Sequence, residues 1–302
     1  MESMTDLRMI LVRLSLLFFA VLSCNSSSEE TIAQVEPPWG YVFDDWKGPP
    51  IDVVTYIPPK ATSNTPVLIV IPGASRDAQR FHASWLDLAK KNHFSVLTIG
   101  ARKTFFPDEY SYNAGGVITA NGELVDESEW LFSVVEPIFV DFKNRYGFVA
   151  KRFYLFGHSA GGGFVHRYLL FNPEAPIIKA VAANPAFVTL PDKDVLYPFG
   201  LKDVPHTDKN IKSWLTKKMA IVLGEDDLGP RTKPLSNGPE AREQGPNCLS
   251  RGKLLYSETK RKAEELGIHF KWDLIIVPGV GHDNYNLAPF ASIYLFGEEE
   301  GE

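Results

Sequence analysis

Ser159 stands in Gly157-His158-Ser159-Ala160-Gly161-Gly162-Gly163, directly after the apolar run 153–156 and before a segment carrying Phe164, Val165 and Tyr168. A serine hydroxyl is a weak nucleophile. It must be held exposed on a tight, strained turn at a sheet edge, which a strand, G-x-S-x-G and a helix supply together. Gly161 and Gly162 are poor helix formers, so their place at a helix start points to close packing of helix on strand. A nucleophile also needs a base, and the base a carboxylate to orient it. Of the seven histidines, His282 sits best, on a Pro-Gly-Val-Gly loop after the last expected strand. His206, in a long loop, is its competitor. His158 adjoins the serine but should point away from its Oγ, and His82, His93, His166 and His269 sit in or beside expected elements. The acid should lie between serine and histidine, off a strand end, where Glu225, Asp226 and Asp227 follow Gly224. The last requirement is a pair of backbone N–H groups aimed at the developing oxyanion. Ala160 offers one; Pro72-Gly73-Ala74-Ser75 offers the other, with Ala74 preferred and Ser75 the alternative.

These groups need elements to carry them. Residues 67–71 (VLIVI) are apolar throughout, as a strand buried on both faces requires. Residues 51–57, 94–99, 153–156, 180–183, 220–223 and 274–277 read as further strands. Between them, Leu131, Val135, Ile138 and Phe142 give one apolar helix face, which Pro137 should bend or restart. A helix from near Ser159 closes at Asn172-Pro173, and another runs from near Gly252 to Leu266. Strands alternating with helices predict an α/β fold with a mostly parallel sheet. Residues 103–122 and 187–213 fit neither period and should lie over the carboxyl edge of the sheet, where such folds bind ligands. Residues 229–252 form a third such loop. The aromatics Phe105, Phe106, Tyr110, Tyr112, Tyr197 and Phe199 are candidates for an acyl or aryl pocket, with Tyr112 and Phe199 chosen as substrate contacts.

The 302 residues leave room for one large domain or two modest ones, and 44% hydrophobic with 23% charged residues is ordinary for a globular protein. A net charge of −6 without a basic run argues against a nucleic-acid partner. Two cysteines, Cys24 and Cys248, make no disulfide framework and no C-x-x-C site. No P-loop and no H-E-x-x-H occurs, and Asn284 breaks the dinucleotide pattern begun at Gly279-Val280-Gly281, so neither cofactor nor metal is expected. Cys248 is expected to be a buried small residue. Residues 1–23 read as an export signal: Arg8 and Arg13, a short apolar run, then small residues. Val21-Leu22-Ser23-Cys24 resembles the lipobox of bacterial lipoproteins. That resemblance implies lipidation of Cys24, residues 24–50 as tether and extension, residues 51–302 as the folded domain, and a periplasm-facing or cell-surface location. The other outcome is plain secretion. A membrane is expected as partner only through this anchor, and the sequence leaves the oligomeric state open.

PGAS, GHSAGGG, LGEDD and VPGVGHD together resemble the α/β-hydrolase superfamily, esterase type, in the group of polyhydroxybutyrate depolymerases and feruloyl esterases. The resemblance covers roughly residues 51–296, with Pro72 where many relatives carry histidine. It implies the chain order Ser, Asp, His, helices on both faces of the sheet and a small loop cap. The relatives' Gly-x-x-Asp spacing selects Asp227. It implies a serine ester hydrolase acting on a small or polymeric ester through an acyl-enzyme. The alternatives are a serine peptidase of the same fold and a non-catalytic surface protein that keeps it.

Overall fold

The run Val67–Ile71 is buried at every position. In the computed structural model, which describes residues 31–32 and 40–297, it is an inner strand of an eight-stranded sheet. The strands are β1 (Gly40–Phe43), β2 (Ile51–Tyr56), β3 (Val67–Ile71), β4 (Ser95–Gly100), β5 (Phe153–His158), β6 (Ile177–Ala183), β7 (Met219–Gly224) and β8 (Trp272–Val277). They lie in the order β1-β2-β4-β3-β5-β6-β7-β8. β2 pairs antiparallel with β1 and β4, and every pair from β4 to β8 is parallel. The helices are α1 (Ala78–Ala83), α2 (Leu86–Asn92), α3 (Val135–Tyr146), α4 (Ala160–Phe171), α5 (Asp208–Thr216), α6 (Pro239–Glu243), α7 (Cys248–Glu265) and α8 (Asn284–Phe296).

Successive strand side chains point to opposite faces, and the two faces build two cores. Leu68 and Val70 pack with Phe81 of α1 and with Leu287 and Leu295 of α8. Ile69 and Ile71 pack on the other face with Ile138 of α3, Val165 of α4 and Leu255 of α7. Each such side chain stabilises the fold by about 1.5–3 kcal/mol when fully buried. α4 is buried at all twelve positions, so it is covered all round rather than along one stripe, and its polar His166 and Arg167 find their hydrogen-bond partners inside. Pro137 falls in the first turn of α3, after the 3₁₀ turn Leu131–Val134. There its missing N–H leaves no intrahelical bond unmade.

The expected strands all form. β1 is an addition: the sheet begins at Gly40, inside the stretch assigned to the extension. Only Phe43 of its four residues is buried, too little for a period-two pattern. The export-signal expectation and Cys24 fall on residues outside the described ones. Among the described residues, no helix is long and apolar enough to cross a membrane.

Candidate active site

β5 runs straight into Ser159, whose backbone takes φ 60° and ψ −116°. A non-glycine residue with positive φ is strained and persists only where its surroundings over-determine it. Here Ser159 N donates to Ala183 O at 2.9 Å and Gly163 N donates to Ser159 O at 3.0 Å. A Cβ on Gly161 would run into the carbonyl of Ile71. The glycine therefore lets α4 seat directly against β3, with the serine at its head.

Asp227 follows β7 on a tight turn and is 1% exposed. Its Oδ2 lies 2.6 Å from Nδ1 of His282, on the loop between β8 and α8. Of the three neighbouring acids, Asp227 is the one that reaches the histidine. Glu225 Oε2 instead accepts from Gly279 N at 3.3 Å, and Asp226 is exposed while its backbone N donates to Val280 O at 2.9 Å. Two residues missed by the sequence reading fix these loops. Asp283 caps α8 through Tyr285 N and Asn286 N. Asn184, buried at the end of β6, accepts from Gly224 N at 2.9 Å and donates to Gly281 O at 3.2 Å. It clamps the acid loop to the histidine loop, and an asparagine at a strand end is too common to have been singled out.

His158 lies under His282, with ring centroids 4.6 Å apart. Both its ring nitrogens are buried without a partner, and burial pushes its pKa well below the usual imidazole range. The ring behind His282 is therefore neutral. His206 bonds to Val204 O within its own loop and does not line the cavity that holds Ser159.

Ser159, His282, Ala74 and Ala160 line one cavity of about 680 Å³. Ser75 is exposed and outside that lining. Arg76, Lys103, Arg231 and Lys233 supply cations to the wall, Asp108 and Glu109 the acids. Arg76 lies 3.4 Å over the Tyr112 ring and donates to Phe106 O and Asp108 O. Glu109 Oε2 accepts from Leu235 N at 2.7 Å, joining loop 103–122 to loop 229–252; burial raises its pKa. A second cavity of about 470 Å³ shares Pro107, Asp108, Tyr110 and Ala120 with the first, and carries Phe105 and Phe106.

Tyr112 and Phe199, the expected substrate contacts, line neither cavity. Tyr112 is 1% exposed because its hydroxyl is drawn inward to Pro72 O at 2.6 Å. Phe199 packs against Phe187 in a small inner cluster. Residues 187–213 likewise leave the cavity wall: buried Arg167 holds them through Thr189 Oγ1, Phe187 O and Pro198 O. The wall comes instead from residues 230–236 of the third loop.

No protein-family model matches the chain, and no curated protein matches it. Solved structures do. Poly(aspartic acid) hydrolase-1 from Sphingomonas sp. KT-1 is 34% identical, with a TM-score of 0.81 over 88% of this chain and 99% of its own. The poly(3-hydroxybutyrate) depolymerase from Bordetella parapertussis is 29% identical, with a TM-score of 0.80 over 87% and 91%. An S-formylglutathione hydrolase from Agrobacterium tumefaciens shares the fold alone, at 17% identity and a TM-score of 0.56 over 88% and 97%.

Proposed function

This chain belongs to the α/β-hydrolase superfamily, and we propose that within it the protein is a serine ester hydrolase acting through an acyl-enzyme. The carrying observation is the Asp227–His282 bond at 2.6 Å, made beside the cavity that also holds Ser159 on its strained turn. With Nδ1 given to Asp227, Nε2 of His282 is the nitrogen free to take the Ser159 proton. Ser159 Oγ then attacks the ester carbonyl. Backbone N–H groups of Ala160 and Ala74 receive the oxyanion. His282 returns the proton to the leaving alcohol, and water discharges the acyl-enzyme by the same route. Asp227 holds the tautomer and stabilises the imidazolium. The two adjoining cavities suit an extended substrate such as a polyester, in keeping with the depolymerase it resembles.

The cations of the wall favour one second reading: hydrolysis of amide bonds in an anionic chain, the substrate type named for the Sphingomonas relative. Turnover of neutral esters, poly(3-hydroxybutyrate) and poly(aspartic acid) side by side separates the two. In either case a fluorophosphonate should label Ser159, and Ser159→Ala should abolish labelling and lower kcat by roughly four to six orders of magnitude. Activity retained in that variant overturns the assignment. We further propose export and tethering through Cys24, supported by the sequence of residues 1–24. Cys24→Ala should shift the protein from the membrane to the soluble fraction; a cytosolic wild type that keeps residues 1–23 would refute this.

A further inference from the structure

Asp227 has lost almost all contact with water, so its carboxylate must find its donors within the chain. Oδ2 takes the His282 ring N–H at 2.6 Å, while Oδ1 has Arg231 Nη2 only at 3.4 Å. A carboxylate offers about four lone-pair sites, and these two contacts leave it short of donors. Cys248 stands beside it. Its thiol is fully buried and in no disulfide. One ligating atom each of Asp227, Cys248 and His282 lies within 4.8 Å of the other two. Cys248 is also the first residue of α7, where Asn247 and Ser250 form a capping box that fixes the direction of the opening turn.

We propose that Cys248 is a positioning residue, whose S–H donates to Asp227 and holds the carboxylate with Oδ2 facing His282. This rests on the hydrolytic reading above. Burial, with the Asp227 carboxylate next in importance, pushes the thiol up to about 12. The group is therefore an S–H donor at neutral pH, and the thiolate that a metal would need is disfavoured. Without that donor the carboxylate is free to turn about its Cβ–Cγ bond. His282 then spends less time with Nδ1 bonded and Nε2 aimed at Ser159.

A plain packing role orders the variants differently. Serine keeps a donor in a polar side chain; alanine and valine keep an apolar side chain and lose the donor. The full chain carrying Cys248→Ser, Cys248→Ala or Cys248→Val should be compared with wild type for p-nitrophenyl ester turnover and fluorophosphonate labelling rate. The downfield proton resonance of His282 Nδ1–H provides a reading without turnover. Loss of one such hydrogen bond predicts a fall in kcat of roughly three- to tenfold in Ala and Val, with KM unchanged. Labelling should slow by the same factor, the downfield proton should move, and Ser should restore all three. Wild-type labelling and an unmoved proton in the Ala variant would overturn the proposal, and so would a Ser variant worse than Ala. A wild type that shows the resonance and its Cys248 dependence but never labels at Ser159 would instead sink the hydrolytic reading alone.

Discussion

At the scale of single residues, the sharpest question is which carboxylate His282 uses. Asp227 is buried and bonded to Nδ1, whereas Asp226, one residue earlier, is exposed. Asp227→Asn keeps the shape but presents an amide that favours the wrong imidazole tautomer, and should cost about 10⁴-fold in kcat. Asp226→Asn removes a solvated charge whose field at His282 is weak, and should leave kcat within a few-fold of wild type. Steady-state kinetics of the pair decide it; a crippled Asp226→Asn would reverse the assignment. Ser159 and His282 could be placed because each is tied to a strand end, and strand ends can be counted along a chain; the same count left Glu225, Asp226 and Asp227 open, and the family resemblance selected Asp227. Tyr112 and Phe199 were misread for the opposite reason. An aromatic in a loop carries no sign of whether it faces inward, and only the acceptor at Pro72 O and the partner ring of Phe187 turn these two away from the cavity. Nor does any local pattern tell that Cys248 lies beside Asp227, since their meeting depends on how α7 docks against β7.

Among elements, the strands could be read from the sequence because a parallel sheet covered on both faces demands unbroken apolar runs. β1 could not, being a four-residue edge strand with a single buried side chain. The three consecutive glycines that open α4 show how element packing overrides local propensity. Alanine is the better helix former by about 1 kcal/mol, yet at Gly161 its Cβ would meet the Ile71 carbonyl. That carbonyl belongs to the strand whose end carries the Ala74 loop, so the contact that forbids a side chain also sets the approach of Ala74 to Ser159. The loops were harder to assign. All three long ones leave carboxyl strand ends, but buried arginines decide which of them can line a cavity. Arg167 draws residues 187–198 inward. Arg251, on the first turns of α7, bonds the carbonyls of Ala186 and Ser236 and so holds residues 230–236 upright as the wall.

For the whole molecule, the buried histidines make stability depend on pH in a definite direction. His82, His158 and His166 lie inside. Burial pushes His82 down to about 4 and holds His158 and His166 well below the usual range. His166 is additionally committed to the neutral form, because its Nε2 accepts a bond from Thr189 N at 3.1 Å. In the unfolded chain all three return to values near 6.5. Below that pH the unfolded state binds protons that the folded state refuses, so stability falls as pH falls. Each such proton is worth about 1.4 kcal/mol per pH unit, and three together about 4 kcal/mol per unit. Glu109 works the other way, since burial raises its carboxyl and lets the folded state take a proton first. One group against three leaves the sign unchanged. With a typical total stability of about 5–15 kcal/mol, a slope of that size would exhaust it within roughly one to four units below pH 6.5. Urea midpoints measured between pH 7.5 and 4.5 should fall steadily, and His82→Gln should reduce the slope by about a third below pH 6. Midpoints that do not move with pH, or a His82→Gln slope equal to wild type, would show that these imidazoles already carry their protons in the folded state.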